Sequence, residues 1–196
     1  MAPKSPSTIV LVGGGVRCGK SAFALHRAAA AGTRRAFVAT AQAFDEEMRD
    51  RIAAHQEERS SDFVTVEAPL EVAQALTSLG DVDVVVIDCL TLWLSNLLMA
   101  EKTDAEIYAA LEALVLALRC RSWQVVLVTN EVGLGVVPAS ALGRRFRDLA
   151  GRIHQRLVGI ADEIYFGALG AMLRLRPNPV CLVTQNDFRL PQNCAP

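Results

Sequence analysis

The sequence lacks an excess of charge of either sign. Its 196 residues include 20 Lys and Arg against 21 Asp and Glu, which gives a formal net charge of −1. A protein that binds nucleic acid through a broad basic surface needs a clear positive excess. We therefore expect no nucleic-acid partner, whereas a small anionic ligand held by a few local groups is compatible with this balance.

Cysteine pairs and long apolar runs are also missing. The five cysteines are scattered without a C-x-x-C pair, and the three histidines complete no zinc pattern with them. Reduced thiols are the expected state of such cysteines. No apolar stretch has the length of a signal peptide or of a membrane span, which needs about 20 residues. These absences predict a cytoplasmic protein with no membrane span.

What the sequence does contain is a regular alternation of strand-like and helix-like segments. Hydrophobic residues make up 52% of the chain, enough for a large core. The predicted strands are 8–13, 35–40, 63–67, 83–88 and 124–130, and the predicted helices are 20–31, 45–59, 69–79, 90–100, 104–120 and 138–159. This rhythm predicts an α/β fold with a mainly parallel sheet and helices on both faces.

The C-terminal end departs from this rhythm. Residues 163–169 and 171–176 predict a terminal hairpin, and no internal repeat or long linker divides the chain before it. We therefore expect a single domain over residues 1–176. The remaining residues, 177–196, begin with two close prolines and are expected to form an irregular tail.

A phosphate-binding loop is indicated by "GGGVRCGKS", which contains Gly14-x-x-x-x-Gly19-Lys20-Ser21 between the first predicted strand and the first predicted helix. In such a P-loop the backbone N–H groups surround phosphate oxygens, the lysine reaches the β- and γ-phosphates, and the serine hydroxyl ligates Mg²⁺. The alternative is a glycine-rich turn that happens to precede Lys-Ser. The flanking strand and helix favour the P-loop.

Asp88 ends the apolar run "VDVVVID". This is the usual place for the acidic partner that holds Mg²⁺ beside a P-loop, although an aspartate here could also cap the next helix. No N-K-x-D guanine-reading motif occurs, so a switch GTPase is disfavoured and base selectivity cannot be read. The P-loop and Asp88 together predict a site for a Mg-nucleoside triphosphate.

His55 lies within a predicted helix, on a stripe with Met48, Ile52 and Arg59. Spacing alone favours a packed or half-exposed histidine over a catalyst. The functional alternative is a neutral imidazole that attacks the α-phosphorus of a nucleoside triphosphate and expels pyrophosphate. Spacing leaves both interpretations open.

The segment "TNEVGLGVVP" follows the fifth predicted strand and suits an active-site loop. Its Asn130 and Glu131 could equally be local turn-formers. The next predicted helix carries arginines that either bind phosphates or solvate an exposed face. These arginines are Arg144, Arg145, Arg147 and Arg152.

Taken together, these segments resemble the bifunctional cobinamide kinase/cobinamide-phosphate guanylyltransferase family of cobalamin biosynthesis. The resemblance runs from the P-loop through "VATAQAFDEEMRDRIAAHQ", "VIDCLTLWLSNLL", "TNEVGLGVVP" and "FRDLAGRIHQRL", over residues 8–170 in one order. It implies a RecA-like P-loop sheet and a homotrimer. It also implies a kinase step on adenosylcobinamide with ATP or GTP, then transfer of GMP from GTP through a guanylyl-histidine.

The resemblance further implies the site residues. His55 takes the place of the nucleophilic histidine, Lys20 is the second catalytic residue, and Ser21 and Asp88 are the Mg²⁺ ligands. The implied nucleotide contacts are Gly14, Gly15, Val16, Arg17, Cys18, Gly19, Lys20, Ser21, Ala39, Thr40, Ala41, Gln56, Glu57, Glu58, Arg59, Glu67 and Asp88.

The chain departs from the family pattern at three places. Val16 and Cys18 replace an alanine and a serine at variable loop positions, His154 stands where some relatives are expected to carry asparagine, and the tail continues past the family's usual end. Two other hypotheses use the same residues. One is a P-loop small-molecule kinase with a structural His55, and the other is a nucleotide-binding regulatory module that hydrolyses slowly.

Overall fold

A computed structural model of the chain describes residues 7–43, 46–57 and 62–183. Its strands are β1 (Ile9–Gly14), β2 (Arg35–Ala39), β3 (Phe63–Glu67), β4 (Val84–Asp88), β5 (Gln124–Val128), β6 (Glu163–Ala168), β7 (Ala171–Arg176) and β8 (Cys181–Val183). Its helices are α1 (Lys20–Ala31), α2 (Glu46–Glu57), α3 (Val72–Ser78), α4 (Leu90–Met99), α5 (Asp104–Cys120) and α6 (Ala141–Val158).

One sheet collects all of these strands in the order β3-β2-β4-β5-β1-β6-β7-β8. The neighbours from β3 through β6 pair in parallel, and β7 and β8 extend the sheet in antiparallel pairs. The predicted α/β fold with a mainly parallel sheet is therefore confirmed. β1 lies between β5 and β6, near the middle of the sheet.

The central strands are apolar because helices cover both of their faces. Along β1, Ile9 and Leu11 join the core beneath α3, α4, α5 and α6, while Val10 and Val12 join the core beneath α1. Successive side chains of a strand point to opposite faces, so a strand buried on both sides must be continuously hydrophobic. This burial fixes β1, and with it the loop that follows, rigidly in the sheet.

Two helices begin a few residues after the prolines that were expected to open them. The helix expected from Pro69 begins at Val72, because the Asn96 side chain donates to the Pro69 carbonyl at 3.0 Å and the Trp93 indole donates to the Leu70 carbonyl at 2.8 Å. These bonds keep residues 69–70 outside the helix. Tertiary contacts thus override the local helix-start signal.

The helix expected from Pro138 begins at Ala141. The Ser140 hydroxyl caps it by accepting a hydrogen bond from the Gly143 N–H at 3.1 Å. A serine N-cap stabilises a helix start by about 1 kcal/mol, which favours the later start.

The C-terminal hairpin is confirmed by the antiparallel pair of β6 and β7. Residues 181–183 differ from the expected irregular tail, since they form β8 and pair with β7, Leu173 opposite Leu182. The two prolines are confined to the connection at 177–180, so the apolar residues after them are free to pair. The division of the chain at residue 176 stays a prediction, and residues 184–196 lie outside the described ranges. Over the described ranges, no helix combines the length and hydropathy needed to cross a membrane.

Candidate active site

The parallel sheet brings the predicted site residues to one edge. Asp88 at the end of β4 lies beside Ala39 of β2, and Ala39 lies beside Glu67 of β3. On the other side, Asp88 lies beside Val128, which pairs in turn with Val12 just before the loop. Parallel strands end at the same edge, so the P-loop, Ala39, Glu67 and Asp88 form one row.

The loop itself has the curled backbone of a phosphate-binding turn. Gly14 has a φ of 144° and Gly19, which precedes α1, has a φ of 91°. The Gly15 N–H donates to the Gly167 carbonyl of β6 at 3.3 Å, so β6 forms the floor of the loop. Gly15, Val16 and Arg17 are exposed above that floor. An anion can therefore approach the loop and the N-terminus of α1 from solvent.

Lys20, the first residue of α1, is buried and folds back over the loop. Its side chain is 7% exposed, and its Nζ donates to the Gly15 carbonyl at 2.5 Å. The Cys18 Sγ lies 3.6 Å from the same nitrogen. The ammonium is thus held where a P-loop binds phosphate oxygens.

Ser21 and Asp88 meet although 67 residues separate them in sequence. The Ser21 hydroxyl donates to Asp88 Oδ2 at 2.8 Å, joining the first turn of α1 to the end of β4. A hydroxyl and a carboxylate are the hard oxygen donors that Mg²⁺ prefers beside phosphate oxygens. The donor set therefore fits the predicted metal.

Thr40 is fully buried and holds the turn after Asp88 in place. Its hydroxyl accepts from the Cys89 N–H and donates to the Cys89 carbonyl, each at 2.8 Å. The Asn96 side chain donates to the Thr40 carbonyl at 2.7 Å. The Thr40 hydroxyl is therefore engaged within the protein, and Ala39 and Ala41 are the half-buried members of the predicted "ATA" contact.

The predicted nucleophile lies on α2, where the structure describes less. The backbone of Glu46–Glu57 is helical, Gln56 is exposed and Ile52 is half-buried. The His55 side chain, the Glu57 side chain and residues 58–59 lie outside what the structure describes, so their roles stay predictions. Glu67 is exposed at the end of β3.

A side-chain cluster that sequence reasoning did not assemble follows β5. The Thr129 hydroxyl and His154 Nε2 of α6 lie 2.8 Å apart, and His154 Nδ1 lies 3.6 Å from Glu131 Oε2. Burial lowers the pKa of His154, and the nearby Glu131 carboxylate opposes part of that shift. Asn130 points elsewhere, since its side chain donates to the Thr91 hydroxyl of α4 at 3.1 Å.

The arginines of α6 divide into two kinds. Arg144 donates to the Ala139 carbonyl at 2.6 Å, and Arg145 binds the Asp104 carboxylate at 2.8 Å, so both serve the local structure. Arg147 and Arg152 line an open cavity of about 480 Å³, where Arg152 also donates to the Tyr108 hydroxyl at 3.1 Å. The other lining residues are Gly133, Asp148, Gly151 and Gln155.

A parallel α/β sheet, a P-loop at the head of α1 and a Ser–Asp pair beside it define a P-loop nucleotide-binding protein. The solved structure of the RadB recombinase has this fold. It matches with a TM-score of 0.50 and 18% identity, over 92% of this chain and 89% of that one. At this identity the likeness concerns the fold alone.

Sequence comparison gives the family. The model of the family described as "Cobinamide kinase / cobinamide phosphate guanyltransferase" matches residues 10–175, so the chain belongs to this family. The bifunctional adenosylcobalamin biosynthesis protein CobP of Pseudomonas aeruginosa is 40% identical over 174 residues, covering 87% of this chain and 98% of that protein. The CobU proteins of Salmonella typhimurium and Escherichia coli are 37% and 34% identical, each over 86% of this chain and 99% of their own.

Family membership confirms the resemblance seen in the sequence motifs. The chain is an enzyme of cobalamin biosynthesis with kinase and guanylyltransferase activity.

Proposed function

We propose that this chain phosphorylates the aminopropanol hydroxyl of adenosylcobinamide with ATP or GTP, and then transfers GMP from GTP to the new phosphate through a guanylyl-histidine at His55. The kinase step releases ADP or GDP, and the GMP transfer gives adenosylcobinamide-GDP and pyrophosphate. The observation that carries the nucleotide site is the 2.8 Å contact between Ser21 and Asp88 beside the loop that holds Lys20.

The P-loop binds and orients the triphosphate in this proposal. The N–H groups at the N-terminus of α1 and the Lys20 ammonium bind the β- and γ-phosphates, which fixes the phosphorus that reacts. Ser21 and Asp88 would hold Mg²⁺, which neutralises phosphate charge when bound. Gly14, Gly15, Val16, Arg17, Cys18 and Gly19 supply the backbone of this cradle.

His55 acts in the second reaction. Its neutral imidazole attacks the α-phosphorus of GTP, so that an N–P bond forms and the bond to pyrophosphate breaks. A phosphate oxygen of the acceptor then attacks the same phosphorus and frees the histidine. The order of the strands supports a position of His55 near the nucleotide, because β2, which precedes α2 in the chain, ends beside Asp88. Gln56, Glu57, Glu58 and Arg59 after the histidine, together with Ala39, Thr40, Ala41 and Glu67, are proposed to contact the nucleotide.

A labelling experiment tests His55. The protein is incubated with α-³²P-GTP and Mg²⁺ and then denatured, and we expect acid-labile, alkali-stable label on the protein. His55→Ala should abolish the label, while the control His26→Ala, which changes an exposed histidine of α1, should keep it. Label that persists in His55→Ala would refute the assignment.

The same preparation separates the alternative functions. A monofunctional kinase with a structural His55 predicts phosphorylated acceptor and no label on the protein. A regulatory module predicts slow hydrolysis and no phosphorylated acceptor. Phosphorylation of adenosylcobinamide by His55→Ala, together with loss of GMP transfer, would support separate roles for the P-loop and the histidine.

We further propose that the enzyme is a cytoplasmic homotrimer, as the family resemblance implies. Light scattering coupled to gel filtration should then give three times the 21.1 kDa mass of the chain. A monomer mass at assay concentration would contradict this.

A further inference from the structure

The end of β5 occupies a special position in the site. β5 lies between β4, which carries Asp88, and β1, which leads into the P-loop. Residues that follow β5 therefore emerge between the proposed metal ligand and the phosphate cradle. Glu131 is placed directly there, because its N–H donates to the Gly14 carbonyl at 3.0 Å.

The Glu131 carboxylate has two different surroundings. Its Oε1 accepts a hydrogen bond from the Gly133 N–H at 2.6 Å, which closes the turn. Its Oε2 faces His154 Nδ1 at 3.6 Å, beyond an ordinary hydrogen bond. The side chain is 29% exposed, so the carboxylate is accessible as well as held. A residue that only forms the turn would need the bond from the Gly133 N–H and would not need to face His154.

The partners of His154 determine its tautomer. A carboxylate can only accept, so the ring nitrogen that faces Glu131, Nδ1, carries the proton in the neutral imidazole. Nε2 is then the acceptor for the Thr129 hydroxyl 2.8 Å away. Thr129, His154 and Glu131 thus form a chain in which the Thr129 hydroxyl holds the His154 ring and the ring faces the Glu131 carboxylate.

Space for an acceptor lies next to this chain. The cavity of about 480 Å³ is bordered by Gly133 from the Glu131 turn and by Gly151 and Gln155, which flank His154 on α6. Arg147 and Arg152 add positive charge to its wall. The cavity borders the turn that carries Glu131, so an acceptor bound there would lie beside that turn.

We propose that Glu131 accepts the proton of the acceptor hydroxyl in the kinase step and that His154 is the residue that positions its carboxylate, an inference that rests on the proposed function. The hydroxyl oxygen forms a bond to the γ-phosphorus, and the bond from that phosphorus to the β,γ-bridging oxygen breaks. The nucleoside diphosphate leaves with the electron pair of that bond. The proton passes to Glu131 and then to solvent.

Glu131→Gln tests the catalytic part. The amide still accepts from the Gly133 N–H but cannot take a proton, so phosphorylation of adenosylcobinamide should slow by 100-fold or more. The dissociation constant for ATP and the labelling by α-³²P-GTP should each stay within threefold of wild type, which also shows that the variant folds. The matched control is Glu112→Gln, which removes the same charge from an exposed ion pair with Arg156.

The outcomes separate this inference from the proposed function. Wild-type protein that does not phosphorylate adenosylcobinamide would refute the proposed function itself. Active wild type with kinase turnover of Glu131→Gln within threefold would refute the role of Glu131 alone. A parallel loss of ATP affinity and turnover would also refute it, because the carboxylate would then serve binding or folding.

Two substitutions at His154 test positioning. Asparagine places an amide near the position of Nδ1 and keeps a donor for Glu131, whereas glutamine reaches the position of Nε2 and keeps only the contact with Thr129. We expect kinase turnover within fivefold of wild type for His154→Asn and at least tenfold lower for His154→Gln, with the KM for ATP unchanged in both. Equal turnover, or the reverse order, would refute a role through Glu131.

Discussion

Replacing Gly14 by alanine should destabilise the protein through the floor of the P-loop. A Cβ at this position would lie 2.3 Å from the Gly167 carbonyl oxygen and 2.8 Å from the Gly167 nitrogen, both of them backbone atoms of β6. The φ of 144° adds strain for any residue with a Cβ. Backbone strain costs about 1–3 kcal/mol and overpacking costs about as much again, so the free energy of unfolding should fall by about 2–6 kcal/mol.

Gly15→Ala is the matched control in the same loop. A Cβ at Gly15 would meet no heavy atom within 4 Å. Because a domain of this size loses about 2–4 °C of Tm per kcal/mol, thermal unfolding followed by circular dichroism should show Gly14→Ala at least about 4 °C below wild type. Gly15→Ala should stay within about 2 °C. Equal Tm values for the two variants would show that β6 yields to the methyl group and would refute this reasoning.

Three other changes test the surroundings of the site. Thr40→Val leaves the buried Cys89 N–H without its acceptor, although the Cys89 carbonyl keeps its bond from the Trp93 N–H, and it should lower the free energy of unfolding in urea by about 1–3 kcal/mol. Arg27→Met leaves Glu163 without its 2.8 Å ion pair and should cost about 3 kcal/mol in the same assay; no change in the urea midpoint would contradict this. Burial lowers the pKa of His154 in the folded protein below its value in the unfolded chain. As the pH falls, the unfolded chain therefore binds a proton at this histidine before the folded protein does. The stability that this group supplies is present above the unfolded pKa and is lost as the pH falls below it. His154→Asn should therefore flatten the loss of Tm between about pH 7 and pH 5, and an unchanged slope would refute this.

The central strands were predictable because burial on both faces forces continuous apolar runs. β4 and β5 are buried along nearly their whole length, and apart from Asp88 and Gln124 their sequences consist of valine, isoleucine and leucine. The P-loop was equally readable, since its glycines, Lys20 and Ser21 are contiguous. Asp88 followed from its place at the end of a buried strand, and the structure brings it to Ser21.

Features that depend on distant residues were not predictable. Nothing in the sequence near Pro69 indicates that Asn96 will hold its carbonyl and delay α3. The Thr129–His154–Glu131 chain likewise joins a strand end to a helix 25 residues away. Only the packing of α6 against the sheet brings His154 to Glu131, and neither residue has a local pattern that signals the pair.

The position of β1 between β5 and β6 determines when this enzyme becomes able to bind nucleotide during its synthesis. The P-loop is synthesised well before its supports, since its floor at Gly167 and the acceptor of the Ile9 N–H, Asp162, are supplied by residues made more than 140 positions later. A nascent chain that ends before β6 has the complete motif and its contacts with β5 and Glu131, but lacks the floor that Gly167 supplies. Nucleotide can therefore favour folding only after nearly the whole domain has emerged, and the N-terminal half must avoid aggregation without help from its ligand.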